Sequence, residues 1–299
     1  MLRYDISIDL CEDYSRIVQL WMKRHGVVSD KTGWDLWYEF FNLQKKIIKS
    51  RKRKVNFSKE FFCPPEHQRG LDALLEKFRQ GQNVTPHLSK AALMPSQFDG
   101  LLYDWGIYHF HLGTSLESKS GHIQRTGPIL FAKVDDTDVY CINVYSHGKG
   151  NQPWAKQEMM KILHNNWPET IRRFKLPDGI KPYPDTLPLP TDFEYAALRK
   201  EGISTPIFVC DGIAYFSPGG GYMSSGHSAE IVTHCDRVWN TLKKNEIYIK
   251  EHITSFVAMI ETATGEPPVG KLYFKLWNEN GQLYVVDLRS LTALIKVDI

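Results

Sequence analysis

The sequence predicts an α+β protein: a helical N-terminal segment, a central antiparallel-sheet domain with helices, and a C-terminal α+β domain with a long helix and a terminal hairpin. Three observations carry this. Apolar residues recur every three or four positions through the first 80 residues, the spacing of one helix face. The period drops to two from about Leu101, and Asn280-Gly281 lies between two alternating runs near the C-terminus, the strongest short hairpin signal.

The elements follow in order. Ile17, Leu20 and Trp21, then Trp34, Trp37, Phe40, Phe41 and Leu43, mark two helices joined by a turn between Gly26 and Gly33. Such an aromatic set belongs to a core more often than to a base-stacking surface. The second helix is expected to run into Lys45, Lys46, Lys49, Arg51, Lys52, Arg53 and Lys54. After Pro64-Pro65 a further helix spans about 66–80, with Leu71, Leu74, Leu75 and Phe78 on its apolar face. YDWGIYHFHLG, GPILFAKV and DVYCINVYSHG read as consecutive strands, the last two joined across Asp135, Asp136 and Thr137. A helix is expected over about 154–165. The stretch LPDGIKPYPDTLPLP cannot form a long helix or a central strand. It divides the chain into a basic helical segment (1–85), a central domain (86–175), a linker (176–190) and a C-terminal domain (191–299). In that last domain TPIFVC and GIAYFS form a hairpin, PGGGYMSSGHS a loop, and about 228–262 one long helix.

Apolar residues make up 42% of the 299 and charged residues 24%, which is globular composition and excludes a disordered chain. Net charge is +3, too mild to imply a polyanion partner without local clustering. Cys11, Cys63, Cys141, Cys210 and Cys235 are odd in number and never form a CxxC pair, which suits reduced thiols rather than disulfides or structural zinc. The N-terminus MLRYDISIDLCEDYSR has acids where a signal peptide needs a basic and then an apolar region. No stretch approaches the roughly 18 apolar residues of a membrane span. The expectation is a cytoplasmic protein with no membrane partner; no motif marks a protein partner or inhibitor.

The candidate working surface is built around Tyr108, His109, His111, Arg125 and His147. In HFH, two imidazoles two residues apart share one strand face, with Phe110 on the other beside Tyr108 and Leu112. His147 ends a later strand, and Lys149 follows after Gly148. Three histidines on one sheet face suit acid/base chemistry or metal ligation; half-buried structural histidines bonded to backbone are the plain alternative. Metal ranks below catalysis because no carboxylate shows ligand spacing with them, Asp104 being the nearest acid in sequence. Arg125 precedes a strand that pairs, across a tight turn, with the strand ending in His147.

HIQRTGPILFAKVDDTDVYCINVYSHGK in this way resembles the RelE-like endoribonuclease toxins, whose small sheets bring an arginine into the central strand and a basic or imidazole group to the end of the next. The resemblance covers about residues 101–167. It implies that Arg125 stabilises phosphate charge and that His147 or Lys149 is the terminal-strand group. The HFH pair and the long flanking regions depart from those small toxins. Metal-free RNA cleavage needs a base, an acid and positive charge, which His109, His111, His147 and Arg125 supply without a cofactor. The leading expectation is therefore a metal-independent endoribonuclease, a toxin or defence effector. Seven cations among residues 45–54, together with Lys149, make a nucleic-acid contact, RNA first, by relieving self-repulsion on a phosphate backbone. The alternatives are a non-catalytic nucleic-acid-binding or interaction protein, with the charge run as a solvated helix face, and a hydrolase using a His-ligated metal. The loop PGGGYMSSGHS matches neither GxxxxGK[ST] nor GxGxxG. It is expected to be structural, its glycines in turn conformations, rather than an anion pocket completed by Ser224, Ser225 and His227.

Overall fold

The computed structural model of the chain describes residues 4–118, 120–147, 153–178, 188–210 and 212–299. In chain order the elements are β1 (Ile6–Ile8), α1 (Leu10–Arg24), α2 (Gly33–Lys46), β2 (Lys54–Phe57), α3 (Gln68–Gln80), α4 (Gly100–Trp105), β3 (Ile107–His111), β4 (Pro128–Val134), β5 (Asp138–Ser146), α5 (Glu158–Asn166), α6 (Asp192–Lys200), β6 (Ile207–Cys210), β7 (Ile213–Tyr215), α7 (Ala229–Glu251), α8 (Ile253–Thr264), β8 (Leu272–Glu279), β9 (Gln282–Asp287) and β10 (Ala293–Val297). The protein is α+β.

Its two compact units do not follow the Pro-rich stretch. One comprises residues 1–41 and 231–299, the other 42–230. Neither unit boundary falls near 85 or within 176–190, where the sequence placed them, and most of the stretch itself lies outside the described residues. Three residues of β1 pair in parallel with β8, Ile6 opposite Leu272, which joins the two chain ends into one fold. The first unit is a sheet of order β1-β8-β9-β10 packed with α1, α7 and α8. Trp37 and Phe40 are buried in its core, with Trp21, Trp34 and Phe41 against it. The Leu10 amide donates to the Glu246 carboxylate at 2.8 Å, and Asp13 accepts from Lys275 at 2.9 Å. β8 and β9 turn at Asn280 (φ 52°) and Gly281 (φ 87°), the two left-handed residues of a tight hairpin. The long helix expected over 228–262 is two helices, broken at His252.

The second unit is built on a sheet of order β2-β5-β4-β3, with β2 parallel to β5 and the other pairings antiparallel. Leu71, Leu74, Leu75 and Phe78 of α3 cover one face, meeting Phe110, Leu130 and Cys141. Met159, Met160, Ile162 and Leu163 of α5 cover the other, meeting Ile107, Ile129, Phe131 and Ile142. The strand expected from Leu101 begins only at Ile107. Asp99 caps a helix there, its carboxylate accepting from the Leu102 amide at 3.0 Å, and Gly106 (φ 69°) closes it. Cys11, Cys63, Cys141 and Cys235 are free thiols. No helix among the described residues is long and apolar enough to cross a membrane.

The glycine loop is clamped to α4. The Gly219 and Gly221 amides donate to the Asp104 and Tyr103 carbonyls, each at 2.8 Å. A Cβ on Gly219 would lie 2.2 Å from the Leu102 carbonyl oxygen, and Gly220 has φ 96°. These glycines are in place for close approach and a left-handed backbone.

Candidate active site

β3 sets the site through its pairing with β4: His109 lies opposite Phe131 and His111 opposite Ile129. Ile107 and Phe131 belong to the α5-side core and Phe110 to the α3-side core, so His109 and His111 share the α5 face. Tyr108 faces away, its hydroxyl donating to the Lys45 carbonyl at 2.7 Å, which removes it from the expected surface. On β5, Tyr145 packs toward the α5-side core and His147, two residues on, continues that face. The His147 amide donates to the Gly127 carbonyl at 3.1 Å, tying the end of β5 to the start of β4.

His109 and His147 both meet the ring of Trp154, and His111 meets His147. Ring centroids are 4.8 Å apart for His109–Trp154, 6.0 Å for His147–Trp154 and 6.1 Å for His111–His147. Trp154 is held from behind, its carbonyl accepting from the Arg199 guanidinium. That guanidinium also donates to Asp104 at 2.9 and 3.2 Å, and the Ser217 hydroxyl donates to the other Asp104 oxygen at 2.8 Å. Asp104, the acid nearest in sequence, thus belongs to a buried framework and leaves the histidines to others.

Thr126 brings Arg125 to this cluster. Its hydroxyl accepts from the Leu112 amide at 3.1 Å and donates to the Pro128 carbonyl at 2.6 Å, and its amide donates to His111 Nδ1 over a long 3.5 Å. Arg125 is exposed, forms no ion pair among the described residues, and lies close enough to His111 to disfavour its charged form. Of the expected reactive set, His109, His111, Arg125 and His147 are brought together. Lys149 lies outside the described residues.

Burial, first, and the neighbouring His109, Arg125, His147 and His87 hold His111 down to a pKa of about 4. Burial also lowers His109, opposed by Asp99 and reinforced by His147. Both rings are therefore neutral near pH 7. An amide can only donate, so in this contact His111 Nδ1 acts as acceptor and its proton sits on Nε2. His87 is buried beside it and donates from Nδ1 to the His111 carbonyl at 2.9 Å, fixing the strand end. A cleft of about 440 Å³ opens beside His109, lined by Trp154, Phe98 and Asp99 among others. Trp154, Thr126, His87 and Asp99 were not singled out in the sequence; only the cap pattern Asp99-x-x-Leu102 before a helix carried a local signal.

The basic run is dismantled by the fold. α2 ends at Lys46 and residues 54–57 are a strand, so no continuous basic helix exists. Lys46 is buried, donating to the Gln97 carbonyl at 3.0 Å. Arg53 is buried, donating to the Asp135 and Lys49 carbonyls at 2.6 and 2.9 Å. Lys45 pairs with Glu230 and donates to the Gly219 carbonyl at 3.0 Å. Lys46 and Arg53 are thus engaged with backbone carbonyls inside the fold rather than on an exposed helix face. Arg51 pairs with Asp136 at 2.9 Å at the surface, leaving Lys49, Lys52 and Lys54 exposed. Among the described residues no three His, Cys, Asp or Glu side chains are placed to hold one metal ion.

Compared with models of protein families, with curated proteins and with solved structures, the chain matches none.

Proposed function

We propose that this protein is an endoribonuclease that cleaves RNA by transesterification without a metal ion. The observation that carries the reading is the convergence of three imidazoles on one sheet face beside an exposed guanidinium that has no ion pair among the described residues. In this scheme neutral His109 takes the proton of the ribose 2′-hydroxyl, and O2′ attacks the adjacent phosphorus. Arg125 and the Nε2–H of His111 stabilise the charge that builds on the non-bridging oxygens. The P–O5′ bond breaks as His147 delivers a proton to O5′, leaving a 2′,3′-cyclic phosphate and a 5′-hydroxyl. Arg125 before the middle strand of the β3-β4-β5 meander and His147 at the end of the next strand are the positions that the likeness to RelE-like toxins singles out. The role of toxin or defence effector rests on that likeness alone.

Substitution tests the roles. His109→Ala and His147→Ala should each slow cleavage on the order of 10²-fold or more. Arg125→Lys should also be impaired, because an ammonium lacks the planar two-pronged contact with phosphate oxygens. Full activity in folded His109→Ala and His147→Ala proteins would remove the reading. The second reading, a nucleic-acid-binding protein without catalysis, is favoured by one observation, the exposed Lys49, Lys52 and Lys54, and stands first if the wild-type chain cleaves no RNA.

A further inference from the structure

The cleft beside His109 is larger than the proposed chemistry needs. Its volume of about 440 Å³ falls in the range in which proteins enclose small ligands, roughly 300–1,000 Å³. Ala91, Ala92, Ala155 and Ala196 line it, and such short side chains leave room for a flat ring. Phe98 and Trp154 line it too, with 39% and 36% of their surfaces accessible. Exposed aromatic rings in a concave apolar site are what an unstacked nucleobase packs on.

We infer that this cleft holds a guanine base of unpaired RNA, the base whose ribose carries the attacking 2′-hydroxyl; the inference rests on the nuclease reading above. Asp99 decides both the orientation and the base. It lines the cleft, and its charge acts on His109. One oxygen accepts the Leu102 amide, and about three of its roughly four lone-pair directions remain to accept other donors. A carboxylate repels phosphate, so the group that enters here is a base edge bearing N–H. Guanine offers two adjacent donors, N1–H and the N2 amino group, where cytosine and adenine offer one amino group and uracil one imide. Lys200 also lines the cleft and supplies a donor for the guanine O6. With the base on Phe98 and Trp154 and its edge on Asp99, the attached ribose meets His109, at the border of the same cleft. Cleavage is then directed to the 3′ side of unpaired guanines.

The inference is tested by binding, independently of cleavage. The full chain is titrated calorimetrically with the 3′-monophosphates of guanosine, adenosine, cytidine and uridine. The guanosine form should bind at least about tenfold more tightly, the lower range of what a two-point base-edge contact discriminates. Asp99→Asn keeps a side chain that caps α4 equally well but swaps an acceptor for a donor, and should abolish the preference. Phe98→Ala should weaken all four ligands alike. Equal binding of the four, no binding of any, or a preference that survives in Asp99→Asn would overturn the inference. Guanosine-selective binding without RNA cleavage would retain the subsite and remove the nuclease reading; cleavage without base preference would do the reverse.

Discussion

Replacing His111 by Gln should make the second unit less sensitive to acid. The imidazole titrates at about 6.5 in an unfolded chain and at about 4 in the fold. Above pH 6.5 neither state holds the proton, and stability is unaffected. Between 6.5 and 4 the unfolded chain binds it and the folded chain does not, so stability falls as pH falls. Below about 4 both states bind it and the loss stops. At about 1.36 kcal/mol per pH unit, that gap sets a ceiling near 3 kcal/mol. His111 is buried, and relaxation and water penetration around the charged ring leave about 1–2 kcal/mol of it. A glutamine stays neutral throughout. For a unit of this size that difference corresponds to about 2–8 °C in Tm. Thermal unfolding of both proteins at pH 7.5 and pH 4.5 checks it. The wild type should lose more Tm on acidification than His111→Gln, while His87 and His109, present in both, contribute equally. Equal losses would refute the claim that His111 is held neutral by its surroundings.

Gly220→Val forces a β-branched residue to φ 96° against the Glu230 side chain, and should cost about 1–3 kcal/mol. Activity per folded molecule, measured beside denaturant titrations, should be kept; the opposite order would make the loop a ligand site. Arg199→Met leaves Asp104 buried without its partner, and should destabilise by about 3–5 kcal/mol. Adding Asp104→Leu should recover much of that loss, and a double-mutant cycle measures how much. Changing the exposed Lys49, Lys52 and Lys54 to Gln should weaken RNA binding and flatten its salt dependence, with Tm nearly unchanged. An unaltered salt slope would return these lysines to the status of solvated charges.

Sequence period alone made the β3-β4-β5 meander and the shared face of His109 and His111 legible, because alternation is a local property of the strand. The Asn280-Gly281 hairpin was readable for a similar reason: its turn depends on two adjacent residues. The start of β3 was misread because bulky residues of α4 mimic alternation, although Asp99 and Gly106 mark that helix's two ends. The discontinuous unit was hidden, since three residues of β1 find their partner in β8 more than 260 positions away. The break at His252 has no glycine or proline to announce it. Charge density suggested a solvated basic helix, but the carbonyls of Gln97 and Asp135, which engage Lys46 and Arg53, come from segments far along the chain. Trp154 and Asp99 gain their place in the site only through tertiary contacts.

The account stands most directly on the product of one reaction. End-labelled single-stranded RNA is incubated with the full chain in chelator, and the new ends are identified. Fragments ending in a 2′,3′-cyclic phosphate, with no cut where the scissile nucleotide is 2′-deoxy, are the result predicted for O2′ attack at the site of His109, His111, Arg125 and His147. Cleavage that survives the 2′-deoxy substitution, or no cleavage of varied RNAs, would contradict it.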